Sequence, residues 1–322
     1  MEIPITQSKE WQKLQNDLNE QSFFKQEKSF QYLAILKSTP VGNYLYCPYG
    51  PCYDSESSFQ ESLKLLQSLA KKHNAVFIRI EPRDPNFSEY APRNTKKSHD
   101  LNPKETWILD ITGNDNDLKS RLPSRLLRYY KSATKKGITI KKSHNPEEIT
   151  HLLRLQKALA KEKGITTFSE EYLKTELKQP FATLYLVEFN PLIESQEESL
   201  STKRGTINQS ETIAAGLVFD DRTTRYNLQG AQSEQGRKLH ATGILTIELI
   251  LDAKAKNLQK FDFWGIAPEG APKNHPWAGF TNFKKTFAGF EQDYAGTYDI
   301  ILSPSKYKLY QASRKLNRFI RH

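Results

Sequence analysis

The sequence predicts an α/β protein of two domains, each with a mixed β-sheet flanked by helices. The chain has 322 residues, which is about twice the usual size of a single domain. Short runs rich in β-branched and aromatic residues alternate with longer segments whose apolar residues recur at helical spacing. Hydrophobic residues make up 37% and charged residues 26% of the chain, which is typical of a folded protein in water.

The first predicted domain, residues 1–145, begins with strands and one long helix. The strand runs are FQYLAIL (Phe30–Leu36), NYLY (Asn43–Tyr46) and AVFIRI (Ala75–Ile80). Apolar residues at helical spacing predict a helix over Ser57–His73. Residues 82–104 are proline-rich and aperiodic, so they predict a long loop before WILDI (Trp107–Ile111) resumes a strand.

A basic segment ends the first predicted domain. Asp115–Lys136 predicts one helix with a dense basic face, and Gly137 then turns the chain into another strand. Arg125, Arg128 and Lys131 on this face are suited to contact the phosphates of a nucleic acid. A basic face that is merely solvated explains the same pattern, so both interpretations stay open.

The second predicted domain, residues 146–322, repeats the alternation. A helix (Pro146–Lys163), strands (Thr183–Phe189, Thr212–Phe219 and Thr224–Gly230), a helix (about Arg237–Lys256) and a strand (Lys260–Ile266) are predicted in that order. The polar segment 190–210 predicts a flexible insertion, because its composition cannot bury a core. No heptad run occurs, so no coiled-coil arm is expected.

The charge and composition of the chain indicate its partners and its cellular compartment. The net charge of +10 favours phosphate-rich partners such as nucleic acids, nucleotide sugars or anionic lipids. No apolar run is long enough to span a bilayer and the first residues do not resemble a signal peptide, so we expect a cytosolic protein. Cys47 and Cys52 are the only cysteines; they predict buried thiols, and no metal site is expected.

Familiar catalytic signatures are missing from the sequence. It has no GxSxG, Walker, HExxH or post-strand GxGxxG motif, which argues against hydrolases, P-loop NTPases and metalloproteases. Where an acetyltransferase carries its pyrophosphate loop, this chain has GRKLHATG, so a coenzyme A donor is not expected.

The last third carries the most informative constellation. A strand, FDFWGI, leads through a Gly/Pro loop to HPWAG (His275–Gly279), FKK (Phe283–Lys285) and YAGTYD (Tyr294–Asp299). This order resembles the C-terminal signature of the Fem (FemABX) family, with its YDFWGI strand, HPWAG turn, FKKGF segment and YVGAYD strand. QSKEW, YLYCPYGP, AVFIRIEP, the basic segment ending KKG and YNLQGAQSEQGRK are similar to further family segments. The resemblance therefore covers nearly the whole chain.

The resemblance implies two acetyltransferase-like (GNAT-like) domains and a transferase that uses aminoacyl-tRNA to build the peptidoglycan cross-bridge. The implied donor is an aminoacyl-tRNA, and the implied acceptor is a peptidoglycan precursor, either UDP-MurNAc-pentapeptide or lipid II. An aminoacyl ester is already activated, so no cofactor is expected. We also expect a monomer with at most peripheral membrane contact.

The resemblance also implies the site residues. Lys284 holds the position of the family's transition-state-stabilising lysine, and Phe283 precedes it as in the family. Glu81 and Tyr172 hold positions of substrate contacts, although a strand-end carboxylate and a helix-packing aromatic are ordinary alternatives. Further candidate substrate ligands are Arg237, Arg222 and Trp277, and the tRNA ligands are the three basic residues named above.

Three positions leave the acceptor open. Gln15, Phe168 and Gln229 stand where a family member that uses UDP-MurNAc-pentapeptide has Lys, Arg and Tyr contacts to its substrate. An aminoacyl-tRNA-dependent transferase with a non-peptidoglycan acceptor therefore remains an alternative, as does a non-enzymatic nucleic-acid-binding protein. In the second case Lys284 would be dispensable.

Overall fold

A computed structural model of the chain describes residues 1–163, 166–191 and 210–320. Two compact units emerge, one formed by Met1–Thr106 together with Gln292–His322 and the other by Trp107–Glu291. We call these unit 1 and unit 2. In the described residues no helix is both long and apolar enough to cross a lipid bilayer.

The secondary structure begins with an alternation of strands and helices. In chain order the elements are α1 (Lys9–Asp17), β1 (Ser22–Gln26), β2 (Phe30–Thr39), β3 (Gly42–Cys47), β4 (Cys52–Tyr53), α2 (Glu56–Lys72), β5 (Ala75–Ile80), β6 (Thr95–Lys97) and β7 (Glu105–Asp110). The strands predicted over Phe30–Leu36, Asn43–Tyr46 and Ala75–Ile80 are confirmed as β2, β3 and β5.

The remaining elements lie after β7. They are α3 (Asp115–Arg121), α4 (Ser124–Ser132), β8 (Ile138–Ser143), α5 (Ile149–Lys163), α6 (Glu170–Leu177), β9 (Ala182–Phe189), β10 (Glu211–Asp220), β11 (Thr224–Gln232), α7 (Glu234–Lys238), α8 (Ala241–Ala255), β12 (Lys260–Gly265), α9 (Ala278–Lys284), β13 (Phe290–Asp293), β14 (Tyr298–Ile301) and α10 (Pro304–Ile320). The predicted insertion at 190–210 lies almost wholly outside the described residues.

The strands form two sheets, which confirms the predicted fold class. The first has the order β1-β2-β3-β5-β14-β6, with β4 paired to β2, and the second has the order β13-β7-β12-β11-β10-β9-β8. Both are mixed, because β3 runs parallel to β5 and β11 parallel to β12, while β2 with β3 and β10 with β11 pair antiparallel.

Helix α2 shows how local sequence specifies an element of unit 1. Ser55 caps the helix by accepting a hydrogen bond from the backbone N–H of Ser58, whose side chain in turn accepts from the backbone N–H of Ser55. Phe59, Leu63 and Leu66 recur three and four residues apart and are at most 4% exposed. They pack in the core between the helix and the first sheet.

Two predicted helices are wrong in their continuity. The segment Asp115–Lys136 is not one helix but α3 and α4, because Pro123 stands between them in an extended conformation and cannot continue the α-helical turn. The predicted helix over Arg237–Lys256 is divided into α7 and α8 by His240, whose left-handed φ of 58° ends the first helix.

The units divide the chain differently from the predicted boundary at residues 145/146. Residues 107–145 contribute Leu109, Leu118 and Ile138 to the core of unit 2, and β14 lies in the first sheet between β5 and β6. A strand that joins a sheet more than 200 residues upstream in the sequence leaves no local signal, so hydrophobic periodicity did not reveal it.

A buried ion pair fastens β14 to β5. The Arg79 guanidinium donates from Nε and Nη2 to the two carboxylate oxygens of Asp299, over 2.7 and 2.8 Å, and the two side chains are 2% and 1% exposed. Ser98 Oγ accepts a further bond from Arg79, and Tyr307 donates to Asp299. Such a pair tolerates no loss of one partner, since the other charge would be left buried and unpaired.

We therefore expect Asp299→Asn to lower the free energy of unfolding by about 3–5 kcal/mol, because Arg79 keeps its charge without a counterion. Asp293→Asn is the matched control, since Asp293 is 51% exposed and pairs with Lys104 at the surface, where a pair contributes about 1 kcal/mol or less. Denaturant unfolding monitored by circular dichroism measures both values. Equal effects of the two substitutions would contradict the role of the buried pair.

Candidate active site

The candidate site of unit 2 lies where two parallel strands part. β11 and β12 pair over only three positions, Thr224–Tyr226 with Lys260–Asp262. Both strands continue beyond this ladder, β11 to Gln232 and β12 to Gly265. A cleft outside the carboxyl ends of parallel strands is the usual place for a ligand in an α/β sheet.

The last residues of β12 have an unusual conformation. Trp264 adopts a left-handed φ of 67°, which costs about 1–2 kcal/mol for a residue with a side chain. Asp262, 3% exposed, accepts a hydrogen bond from the Trp264 backbone N–H over 2.7 Å. The Trp264 ring packs edge-on against Tyr226, at 6.2 Å between centroids. Strained backbone of this kind occurs preferentially at functional sites.

Lys284 points to this strand end. Its Nζ donates to the carbonyl oxygen of Gly265 over 2.6 Å from the last residue of α9. Burial lowers the pKa of Lys284 to about 8, and the negative charge of Asp262 acts in the opposite direction. The ammonium form therefore predominates at neutral pH. Gly265 occupies one of its three donors, which leaves donors for a reactant.

Helix α9 is held in place by hydrogen bonds and aromatic packing. Thr281 Oγ1 donates to the Trp277 carbonyl over 2.9 Å and accepts from the Ala267 backbone N–H over 2.8 Å. Phe283 packs edge-on against Phe287, which also contacts the core of unit 2. The structure thus packs Phe283, the residue before Lys284, partly buried against the core of unit 2.

Trp277 lies at the start of α9 and is exposed. Its backbone N–H donates to His275 Nδ1 over 3.1 Å, and its side chain is 42% exposed. This bond means that His275 shapes the turn before Trp277. In contrast to Lys284, the neighbouring Lys285 pairs with Glu291 at 3.2 Å and lies over the Trp107 ring.

The two candidate arginines occupy opposite ends of the parting strands. Arg237 lies in α7, directly after the carboxyl end of β11, and forms an exposed ion pair with Glu162 at 3.5 Å. Arg222 lies in the turn before β11, at the amino ends of the strands. With about 3.3 Å per residue, that turn is about 17 Å from Gly265. Of the two arginines, Arg237 therefore follows the carboxyl end of its strand, as Lys284 lies at the carboxyl end of β12, while Arg222 lies at the amino ends.

Tyr172 belongs to a buried polar cluster on α5, α6 and β11. Gln229 donates to Glu176 over 2.9 Å and accepts from Gln156 over 3.1 Å, and Tyr172 also bonds to Glu176. Burial raises the pKa of Glu176 to about 8, so this carboxyl is mostly neutral at pH 7. The exposed ring of Phe168 stacks on Tyr172 at 4.8 Å.

Glu81 lies in unit 1, at the end of β5, and is 3% exposed. Its carboxylate accepts from the Tyr46 hydroxyl, the Tyr49 backbone, the Thr297 hydroxyl, and both the backbone and the side-chain amide of Asn102. These five bonds span 2.7–3.2 Å and fill the acceptor capacity of a carboxylate. Glu81 therefore organises the loops around it.

The basic residues of α4 lie on an exposed surface of unit 2. Arg125 and Arg128 lie over the ring of Tyr129, which stacks on His240 at 4.3 Å between centroids. Both arginines and Lys131 are exposed, and none of the three forms an ion pair with a carboxylate of the described residues. Gly243 of α8 permits the approach of α4, because a Cβ there would lie 2.6 Å from Leu126.

The sequence did not reveal several residues of these clusters. Asp262 is an acid inside an apolar strand, a pattern that could have marked it as functional. Glu176 has no such signal, since it lies in an ordinary amphipathic helix. No group of three or more metal-binding side chains occurs within the described residues.

Comparison with known proteins identifies the family. A sequence model of a protein family, described as the FemAB family, matches residues 4–110 and 188–315 of this chain. No curated protein matches this chain by sequence. The crystal structure of FemX is 16% identical with a TM-score of 0.77, over 95% of this chain and 94% of that one.

Two further solved structures share the fold. The C-terminal domain of a putative lysylphosphatidylglycerol synthetase from Agrobacterium fabrum is 12% identical with a TM-score of 0.59, over 93% of this chain and 90% of that one. L-PGS from Bacillus licheniformis is 13% identical with a TM-score of 0.58, over 99% of both chains. At these identities the likeness shows the fold alone.

The charge of Asp262 is expected to support the protonated form of Lys284. Asp262→Asn keeps the acceptor for the Trp264 backbone but removes this charge, so the pKa of Lys284 should fall below its value of about 8. Nuclear magnetic resonance titration of ¹³C-labelled lysine measures it. Glu291→Gln, which removes the partner of Lys285, is the control and should leave the Lys284 titration in place. An unchanged pKa in Asp262→Asn would contradict this coupling.

Proposed function

This chain belongs to the FemAB family of peptidoglycan bridge-forming transferases, and on that basis we propose that it moves an amino acid from aminoacyl-tRNA to the side-chain amine of a peptidoglycan stem peptide. The observation that carries this proposal is the half-buried Lys284 ammonium, held on the Gly265 carbonyl at the end of the parting strands β11 and β12.

The proposed reaction is the aminolysis of an ester. The acceptor amine attacks the aminoacyl carbonyl carbon, forming a C–N bond and a tetrahedral oxyanion. Collapse of this intermediate breaks the ester C–O bond and releases the tRNA, whose ribose oxygen receives a proton as the amine loses one. The protein must therefore hold two reactants in line and stabilise one oxygen anion.

Lys284 has the properties that oxyanion stabilisation requires. Its ammonium is fixed by a hydrogen bond and partly removed from water, where a charge interacts more strongly than in bulk solvent. Burial lowers its pKa, but only to about 8. The group therefore stays charged at neutral pH and loses its charge as the pH rises above that value. Phe283 and Thr281 position the lysine rather than contact the reactants.

The basic surface of α4 supports the tRNA half of the proposal. Arg125, Arg128 and Lys131 are exposed cations, and contacts to phosphates are additive and independent of sequence. Arg121 differs, because its guanidinium donates to the carbonyls of Asp110 and Thr112 and so stabilises the fold. We therefore assign tRNA backbone contacts to the former three residues.

We propose a peptidoglycan precursor as the acceptor, either UDP-MurNAc-pentapeptide or lipid II. We propose Arg237 as a ligand of its phosphates and Tyr172 as a further contact to it. Trp277 is proposed to contact a substrate next to Lys284, and Glu81 to shape the loops of unit 1. Arg222 would act only away from the cleft. The protein would work as a monomer in the cytosol, where aminoacyl-tRNA is found, with at most peripheral contact to the membrane.

A second candidate is an aminoacyl-tRNA-dependent transferase with another acceptor. The polar cluster favours it, because Phe168, Tyr172, Glu176 and Gln229 provide no cation for a phosphate. Purified protein incubated with labelled aminoacyl-tRNAs and each acceptor in turn, followed by mass spectrometry, separates the two candidates. Attachment of one amino acid to the stem-peptide amine is expected; products only with another amine would support the second candidate.

Lys284→Met is expected to lower kcat about a hundredfold, the usual effect of removing one oxyanion donor. Lys285→Met is the matched control, since it makes the same change at the adjacent residue, whose ammonium instead pairs with Glu291. Single-turnover transfer from aminoacyl-tRNA measures both rates. Equal rates in the two variants would exclude the role of Lys284.

Replacing Arg125, Arg128 and Lys131 together with Gln should weaken tRNA binding and flatten its dependence on salt. Each lost phosphate contact lowers the slope of log K against log salt concentration by about one. Filter binding at several salt concentrations measures this slope. Lys9→Gln, Lys13→Gln and Lys28→Gln together remove the same charge from unit 1 and provide the control. A slope that changes equally in both triple variants would favour a merely solvated basic face.

A further inference from the structure

The face of α9 that carries Lys284 also carries two exposed aromatic rings. Trp277 and Phe280 are 42% and 51% exposed, although large aromatic side chains usually bury most of their surface. The spacing of Trp277, Phe280 and Lys284 is three and then four residues, so the three side chains share one side of the helix. The exposed rings therefore form a stripe that leads to the buried ammonium.

The surroundings of this stripe are open and polar. Residues 268–270, 272–274 and 276–277 of the preceding loop are exposed, and they include one acid, Glu269, and one base, Lys273. A Cβ at Gly279, beside Phe280, would meet no atom within 4 Å. Among the described residues of unit 2 none buries the rings, and the charged side chains at the end of the helix are Lys284 and Lys285, of which Lys285 pairs with Glu291.

From this arrangement we infer that Trp277 and Phe280 form a stacking platform for the unpaired nucleobases at the 3′ end of the donor RNA. The inference rests on the proposed function and specifies its donor subsite. Aromatic rings flanked by cations are the usual means of holding single-stranded nucleic acid, because bases stack on the rings while phosphates pair with the cations.

The spacing along the helix suits this ligand. At 1.5 Å per residue, Phe280 and Trp277 precede Lys284 by about 6 and 10 Å along the helix axis. Stacked nucleotides of one strand are about 3.4 Å apart. If the ester of the terminal nucleotide lies at Lys284, the two or three bases before it reach the rings. The single-stranded tail of an aminoacyl-tRNA has this form.

Binding of nucleobases explains why the two rings are exposed, whereas the positioning of Lys284 does not. Phe280 is not needed to fix Lys284, whose helix is already held through Thr281. Because the stripe leads directly to the Lys284 ammonium, where the ester is proposed to lie, the planar bases next to that ester are the ligand that fits the rings.

The test uses uncharged RNA, so that it does not depend on transfer. One RNA is a hairpin with the acceptor-stem sequence and a single-stranded 3′ tail, and the other is the same hairpin with a blunt end. The protein variants are Trp277→Ala, Phe280→Ala and the double variant. Phe290→Ala, which removes a ring that is 45% exposed elsewhere on the surface, is the matched control.

We expect wild type and Phe290→Ala to bind the tailed hairpin more tightly than the blunt one. Each of Trp277→Ala and Phe280→Ala should reduce this preference about tenfold, and the double variant should bind both hairpins equally. Affinity for the blunt hairpin should stay constant in all variants, which also verifies that they fold. A tail preference that survives in the double variant would overturn the inference.

Two further outcomes separate this inference from the proposed function. If transfer from aminoacyl-tRNA proceeds and the double variant leaves its KM unchanged, the platform is wrong and the proposed function stands. If the tail preference depends on both rings but no acceptor is aminoacylated, the platform stands and the proposed transfer is wrong. Ring-dependent binding to anionic vesicles without any preference for the RNA tail would assign the stripe to a membrane and overturn the inference.

Discussion

The buried pair of Arg79 with Asp299 is the contact on which unit 1 depends most. It joins β5, a strand whose six residues are all buried, to β14, which comes from the other end of the chain. An arginine within such a buried strand would strongly destabilise the fold without a counterion, so β14 supplies both a neighbouring strand and the necessary charge. The loops that surround Glu81 are in turn anchored on this part of the sheet through Thr297.

In unit 2 the critical charge is the ammonium of the partly buried Lys284. Lys284 is buried far enough to lower its pKa, but the Gly265 carbonyl and the charge of Asp262 keep it protonated at neutral pH. Full exposure would weaken its interaction with a developing anion, whereas deeper burial would neutralise it. The parting of β11 from β12 provides the space beside this balanced cation, and the left-handed backbone of Trp264 directs the strand end to it.

Much of this arrangement could be predicted from the sequence, and the failures share a cause. Strands and helices with clear periodicity, such as β2, β5 and α2, were predicted within a few residues, and the motif around FKK identified Lys284. The break at Pro123 was readable in principle, because proline interrupts a helix, but the strong basic pattern on both sides obscured it. The position of β14 in the first sheet could not be predicted from the sequence, since the pairing of strands more than 200 residues apart depends on tertiary contacts alone. The interactions of Asp262 with Lys284 and of Glu176 with Gln229 likewise join residues that are distant in sequence.

The discontinuous make-up of unit 1 also bears on how the protein is made. Unit 2 is a single uninterrupted segment, Trp107–Glu291, and the strands of its sheet from β7 to β12 have been translated once that segment has left the ribosome. Unit 1 is translated first but finishes last, because the edge of β5 has no neighbour on one side until Tyr298–Ile301 emerges. During that interval one edge of the apolar strand β5 stays unpaired on the nascent chain. The folding of unit 1, the part that is synthesised earliest, should therefore depend more than that of unit 2 on the elongation rate and on protection by chaperones.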